Sequence, residues 1–216
     1  MKTVICSHGF GVRADSRGMF TEIASALRGA TFVLFDYTDS DGRSGTYVPS
    51  LTEQAKRLQR TIDTHKGEDI TLLCHSQGCM IPGMVEVSTV SKVILLAPPT
   101  GTIMQRLLER IAARPGSYKD DKGAYHLVRS DGTMTTIDKA YMDEIATVHP
   151  EQLYTRIAAN VPTVLVRATE DDVLGKTRLD HLAGAQHYEI AADHNFTGLA
   201  RLKLVALLKE LIEDES

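Results

Sequence analysis

Three residue types able to do nucleophilic chemistry stand far apart in this chain, each just beyond a strand-like apolar run. Ser76 lies in Cys74-His75-Ser76-Gln77-Gly78, directly after Ile70-Thr71-Leu72-Leu73. A serine between small residues, at the end of a buried strand and the start of a helix, is the layout of a nucleophile elbow. The sharp turn strains the serine backbone and lifts its hydroxyl above the sheet. Small neighbours are needed because strand and helix pass very close there. Gly78 meets that need, and Cys74, where glycine is usual, is still small. A serine hydroxyl is a poor nucleophile at neutral pH unless a base takes its proton. His194, in the loop after Tyr188-Glu189-Ile190, is the candidate base. Asp171 and Asp172, after the run Val164-Leu165-Val166-Arg167-Ala168, are the candidates for the acid that would orient it and stabilise the imidazolium. Asp193 adjoins His194 too closely to grip its ring.

An oxyanion formed during attack needs donors aimed at it. The backbone N–H of Gln77, directly after the serine, is one by the geometry of the elbow. A second strand, Val4-Ile5-Cys6-Ser7, runs into His8-Gly9-Phe10-Gly11, whose glycines let backbone approach a substrate closely. The chain order is Ser, Asp, His. These four segments, in this order, resemble the α/β-hydrolase superfamily, and the resemblance runs from Thr3 to the last helix. It implies a triad of Ser76, His194 and Asp171, because the family's acid stands three residues after a small residue at the strand end, here Ala168. It also implies that the amide of Phe10 is the second oxyanion donor. His8 is expected to support its loop by hydrogen bonds. His75 precedes the turn and is expected to point away from the site. Arg13 and Arg17 read as solvated surface charge, although they lie close enough to this loop to meet an anionic substrate.

Around these residues strand and helix alternate. Strand-like runs cover residues 3–7, 31–36, 70–74, 92–97, 163–168 and 186–190. Helical periodicity covers 16–28, 51–65, 77–87 and 197–212, with Asp15 or Ser16 as the first cap and a kink at Pro82. Such alternation predicts an α/β fold, a mostly parallel sheet of about six strands with helices on both faces. The chain starts on the strand that leads to the oxyanion loop, so the antiparallel strands usual at the start of the family's sheet are not expected. One domain over residues 1–216 is expected, with a small cap inserted at about 100–160. That stretch reads as a helix at 102–112, a loop at Pro115-Gly116, a hairpin flanking Ser130-Asp131-Gly132-Thr133, and two short helices. Tyr118, Tyr125, Met134 and Tyr141 are the cap's candidates for a substrate wall. Narrowed further, the layout resembles the feruloyl/cinnamoyl-esterase group of short carboxylesterases.

Composition limits the alternatives. With 24 Lys+Arg against 28 Asp+Glu, the net charge is −4 and both signs are interspersed, which gives no reason to expect nucleic acid or an anionic membrane surface as partner. No apolar run is long enough to span a bilayer. Met1-Lys2-Thr3 enters a core strand without signal-peptide anatomy, which reads as cytoplasmic. Three cysteines, Cys6, Cys74 and Cys79, make no disulfide framework and no zinc pattern, and read as small buried residues. The acidic loop from Asp36 to Gly45 lacks the closing glutamate of a calcium loop and reads as a turn-rich connection. No metal or cofactor is expected. The expected activity is hydrolysis of small to medium carboxylic esters through an acyl-enzyme. A thioesterase or small-substrate peptidase on the same triad, or a binding protein that kept the fold, are the alternatives.

Overall fold

A computed structural model of the chain describes residues 2–37, 45–101, 103–129, 132–175 and 179–213. The expected turn of the 36–45 loop, with Asp39 and Asp41, and Ser130-Asp131 of the hairpin turn lie outside the described residues. The elements in chain order are β1 (Lys2–Ser7), α1 (Met19–Ala26), β2 (Ala30–Leu34), β3 (Thr46–Val48), α2 (Leu51–Thr64), β4 (Asp69–His75), two 3-10 turns (Ser76–Cys79 and Ile81–Met84), β5 (Val90–Leu96), α3 (Ile103–Ala112), β6 (Tyr118–Lys119), β7 (Tyr125–Val128), β8 (Met134–Ile137), α4 (Lys139–Ile145), α5 (Pro150–Asn160), β9 (Thr163–Ala168), β10 (Ala185–Ile190) and α6 (Leu199–Ile212).

Six strands form one sheet in the order β10-β9-β5-β4-β1-β2, and every pairing in it is parallel. Successive side chains of a strand point to opposite faces. On β1, Ile5 therefore joins a core with Leu51 and Leu58 of α2, Leu107 of α3 and Tyr154 of α5. Val4 and Cys6 join the other core, with Phe20 and Ile23 of α1 and Leu204 and Leu208 of α6. Both faces are covered over β1, β4, β5 and β9, which is why those strand sequences are mostly apolar rather than alternating, whereas the edge strand β10 is largely exposed. The sheet has the fold class read from the sequence.

Order reverses at β1. The chain leaves it for β2 on one side and returns through β4 on the other. Loops after two such strands diverge, and the crevice between them lies at the carboxyl ends of the strands, where ligands of open α/β sheets bind. The loop after β1 is His8-Gly9-Phe10, and that after β4 begins at Ser76.

A second sheet, ordered β3-β8-β7-β6, holds the expected hairpin of β7 and β8. β3 adds to it in parallel at Thr46↔Thr135, a pairing of segments 89 residues apart that no local pattern announces.

Two expected helices differ. Residues 77–87 make two 3-10 turns rather than one kinked helix. Pro82 cannot donate the bond an α-helix needs. A Cβ at Gly83 would come 2.9 Å from the carbonyl oxygen of Leu153, so this segment is pressed against α5. The first helix starts at Met19 rather than residue 16. Ser16, Arg17 and Gly18 take positive φ values of 48°, 60° and 84°, so neither Asp15 nor Ser16 caps the helix; Gly18 stands at its N-cap.

Candidate active site

Ser76 takes φ of 54°, the left-handed region that a residue with a Cβ enters only under constraint. The constraint is visible at Gly78. A Cβ there would lie 2.4 Å from the carbonyl oxygen of Ser7 and 2.5 Å from that of His8, so the turn after Ser76 lies directly on the end of β1. The Ser7 hydroxyl donates to the Gly78 carbonyl at 2.8 Å and binds the Tyr37 hydroxyl, locking the approach. The Gln77 side chain donates to Gln54 of α2 at 2.7 Å, which ties the residue after the serine to that helix.

β9 carries the acid. Beyond its end, Thr169 N–H donates to Ile190 O and Glu170 N–H to Ala192 O, so the ladder with the β10 side continues one step past each strand. That extension sets Asp171 beside the loop holding His194. His194 Nδ1–H donates to Asp171 Oδ2 at 2.7 Å, and the Ser76 hydroxyl donates to His194 Nε2 at 2.9 Å. The other carboxylate oxygen accepts the amides of Val173 and Leu174 at 2.8 and 2.7 Å. Burial pushes the Asp171 carboxyl up, but the His194 bond and charge and these two amides outweigh it, so the group sits below the usual carboxylate range and stays ionised. An ionised acceptor fixes the proton on Nδ1 and leaves Nε2 free to accept from the serine. Asp172 is exposed and takes no part. Asp193 instead ties its own loop, accepting from Thr197 N–H at 2.8 Å.

The loop after β1 lies against the serine: a Cβ on Gly9 would come 3.1 Å from Ser76 Cβ. His8 Nδ1–H donates to the Gly9 carbonyl at 3.0 Å, and its Nε2 accepts the Tyr37 amide at 3.2 Å. Desolvation lowers the His8 pKa, so the ring stays neutral and can accept there. Pinning the Gly9 carbonyl fixes the whole Gly9–Phe10 peptide, because its N–H points opposite to its C=O. His8 thus supports the loop as expected.

His75 differs from expectation. It faces His194, with ring centroids 5.0 Å apart. Its Nε2–H donates to the His194 carbonyl at 2.9 Å, and its Nδ1 accepts from Ser16 Oγ at 3.2 Å. Burial, then the charge of His194, lowers its pKa to about 3, so it is neutral at ordinary pH. The left-handed backbone at Ser16 brings its hydroxyl to this ring. Nothing in the local sequence marks that pairing.

Two clefts open at Ser76. One is lined by Phe10, Gln77, Ile103, Leu107, Tyr141 and Leu174 among others. The second includes Gly9, Arg17, His75, His194 and Arg129. Of the cap candidates, only Tyr141 reaches a cleft, against Phe10 with ring centroids 5.6 Å apart. Tyr118 stacks on His126 at the surface, Tyr125 lies under the Lys119 ammonium, and Met134 faces Val128 on the hairpin. None of these three lines either cleft among the described residues. The cleft wall is instead α3, through Ile103, Arg106, Leu107 and Arg110. Their spacing of i, i+3, i+4, i+7 was readable as one helix face.

The cysteines are buried and free. Burial pushes the Cys79 thiol well up, and its Sγ donates to Leu96 O at 3.3 Å, so it is a packing residue. Among the described residues, no group of three His, Cys, Asp or Glu is arranged to hold a metal ion, and no helix is long and apolar enough to cross a membrane.

No curated protein matches the sequence at a significant level. Solved structures do. The chain is similar to Est1E from Butyrivibrio proteoclasticus at 17% identity and a TM-score of 0.70, over 99% of this chain and 87% of that one. It is similar to an esterase domain from a Rhodothermus marinus protein at 17% identity and a TM-score of 0.67, over 97% and 85%. A thioesterase domain from the curacin biosynthetic pathway aligns at 15% identity and a TM-score of 0.61, over 99% and 91%. At these identities the likeness concerns the fold. The family model for the alpha/beta hydrolase family matches residues 4–206. An all-parallel sheet, a left-handed serine after its central strand and a family match over nearly the whole length converge on one assignment: the chain belongs to the alpha/beta hydrolase family.

Proposed function

We propose that this hydrolase is a serine esterase acting through an acyl-enzyme, with Ser76 as nucleophile, His194 as general base and acid, and Asp171 as orienter. The observation that carries the reading is the unbroken hydrogen-bond chain from Asp171 through His194 to a left-handed Ser76. Ser76 Oγ attacks the ester carbonyl carbon while its proton passes to Nε2. The carbonyl oxygen takes the negative charge, and the amides of Phe10 and Gln77 stabilise it. Collapse of the tetrahedral species breaks the bond to the alcohol, which leaves with the proton from Nε2. Water then attacks the acyl-enzyme and gives its proton to His194. Release of the acid returns that proton to Ser76 Oγ. No metal or cofactor enters these steps.

The residues between β5 and α5 form a cap on one hydrolase domain, and its α3 and α4 wall the acyl site. Its largely apolar lining suits an acyl group. The named esterase relatives support an ester as substrate, and a thioester would meet the same machinery.

The test is hydrolysis of p-nitrophenyl butyrate, with fluorophosphonate labelling. Wild type should turn the ester over and be labelled at Ser76. Ser76→Ala should lose about 10⁴-fold or more in kcat and all labelling. Equal rates for the two proteins would defeat the assignment.

A further inference from the structure

α3 sorts its charges between two sides. Gln105 donates to Glu109 at 2.9 Å, and both line an outer groove with Leu108 and residues of α4 and α5. Ile103, Arg106, Leu107 and Arg110 line the Ser76 cleft. Arg110 lines both clefts that open at Ser76, and Arg17 and Arg129 line the second. Among the described residues, no carboxylate lines either cleft. Arg17, Arg106 and Arg110 make this a local excess of positive charge among the described residues, on a chain whose net charge is −4. Among the described residues, neither Arg106 nor Arg110 has a hydrogen-bond or ion-pair partner, although 28 Asp+Glu are present in the chain. Two guanidinium groups one helical turn apart, held at an apolar cleft by Ile103 and Leu107, present forked donors of the geometry that carboxylates and phosphates accept.

We infer that the substrate carries an anionic group, a carboxylate or a phosphate, at the end of its chain away from the scissile carbonyl, and that Arg106 and Arg110 bind it. The inference rests on the hydrolase reading above and adds the substrate class to it. The apolar part of the acyl chain packs on Ile103, Leu107 and Tyr141, while the anion reaches the rim. Cations at the mouth of a cleft also raise the local concentration of an anionic substrate, an effect that added salt screens.

Paired substrates test this. One pair is a p-nitrophenyl ester of a long dicarboxylic acid, with its far carboxylate free or methylated. The other is an acyl thioester of phosphopantetheine against the same thioester of pantetheine. At low salt the anionic member of at least one pair should show kcat/KM about tenfold above its neutral partner. The pair that responds tells carboxylate from phosphate. The preference should fall with added salt, by about threefold in Arg106→Gln or Arg110→Gln, and to near unity in the double variant. Lysine at both positions should restore part of it. Arg60→Gln, the same charge change on the exposed face of α2, should leave the preference unaltered.

Calorimetry with the intact esters and Ser76→Ala protein reads binding without turnover. There the anionic ester should bind about tenfold more tightly than the neutral one, and that ratio should also depend on the two arginines. Equal kcat/KM within both pairs, or a preference that survives the double variant, overturns the inference. If no ester is turned over but Ser76→Ala still prefers the anion through Arg106 and Arg110, the catalytic reading fails and the anion site stands. If binding shows no preference either, both fail.

Discussion

The strand-end rim bearing Ser76, His194 and Asp171 and the helical wall facing it meet at one cleft but are built in opposite ways. On the rim, Ser76 and Asp171 project beyond strands covered on both faces and His194 beyond the edge strand β10, and all three residues are at most 9% exposed. Every one is held by a second contact: Asp171 by two amides, His194 through its carbonyl by His75, Ser76 by the packed turn at Gly78. The wall is a surface helix. Ile103, Leu107 and Ile111 attach α3 to the core, while Arg106, Leu108 and Arg110 remain exposed. The difference teaches that reaction chemistry requires side chains fixed within fractions of an ångström, which strand ends provide. Selection of substrate requires only a face whose residues can change without disturbing the sheet.

The sharpest break of that contrast is Asp171→Asn. The amide cannot hold the same tautomer as a carboxylate, so kcat should fall by about 10⁴ with little change in KM. Asp172→Asn should stay within about twofold of wild type, and steady-state kinetics on one ester reads both.

Next in size is the acid sensitivity of the rim. His75 has a folded pKa of about 3 against an ordinary value of about 6.5, so the fold favours its neutral form. That contribution is complete above pH ~6.5 and is lost as pH falls toward 3. At pH 4.5 the loss is about 2–3 kcal/mol. Urea unfolding at pH 7.5 and 4.5 should show it, and His75→Gln should flatten the dependence. His8, also lowered by burial, leaves a residual slope of the same sign. An unchanged slope in His75→Gln would remove His75 from this role.

On the wall, Leu107→Ala should cost about 2 kcal/mol of stability, since the side chain is largely buried against the core. It should also enlarge the acyl site and raise the relative kcat/KM for a longer acyl chain by about tenfold. A series of p-nitrophenyl esters of increasing length reads the shift. A variant that lowered kcat equally for every ester would contradict the division between rim and wall.

The smallest effect sharpens the idea of strain. Ser76→Gly should abolish activity yet stabilise the fold by about 1 kcal/mol, because glycine tolerates the left-handed turn. Ser76→Ala should not gain that increment. Thermal melts of the two variants give the comparison directly.

The main sheet was legible because strands buried on both faces have unbroken apolar sequences. β9 spans residues 163–168, as its pattern of Thr, Val and Leu predicts. Ser76, Asp171 and His194 were each marked by a strand end and by their order in the chain. Their hydrogen-bonded meeting is a property of the fold. The helix expected at 77–87 did not form, because Gly78 and Gly83 answer to contacts with Ser7 and Leu153, far away in the chain. Of the cap tyrosines Tyr141 reaches a cleft while Tyr118 and Tyr125 do not, because aromatic composition does not say which way a hairpin faces. In the fold, Tyr118 and Tyr125 are engaged with His126 and Lys119.

By itself, the sequence determined which segments form the main sheet, which serine stands at a strand end, and which acid and base follow in order. These are local properties, set by side-chain polarity and the space that glycine leaves. Tertiary structure alone decided that His75 grips the His194 carbonyl, that Ser16 reaches the His75 ring, and that Arg106 and Arg110 line the cleft at the serine. Each of those depends on where a strand from one part of the chain ends relative to a helix from another, and sheet register and helix packing fix that only when the whole core closes.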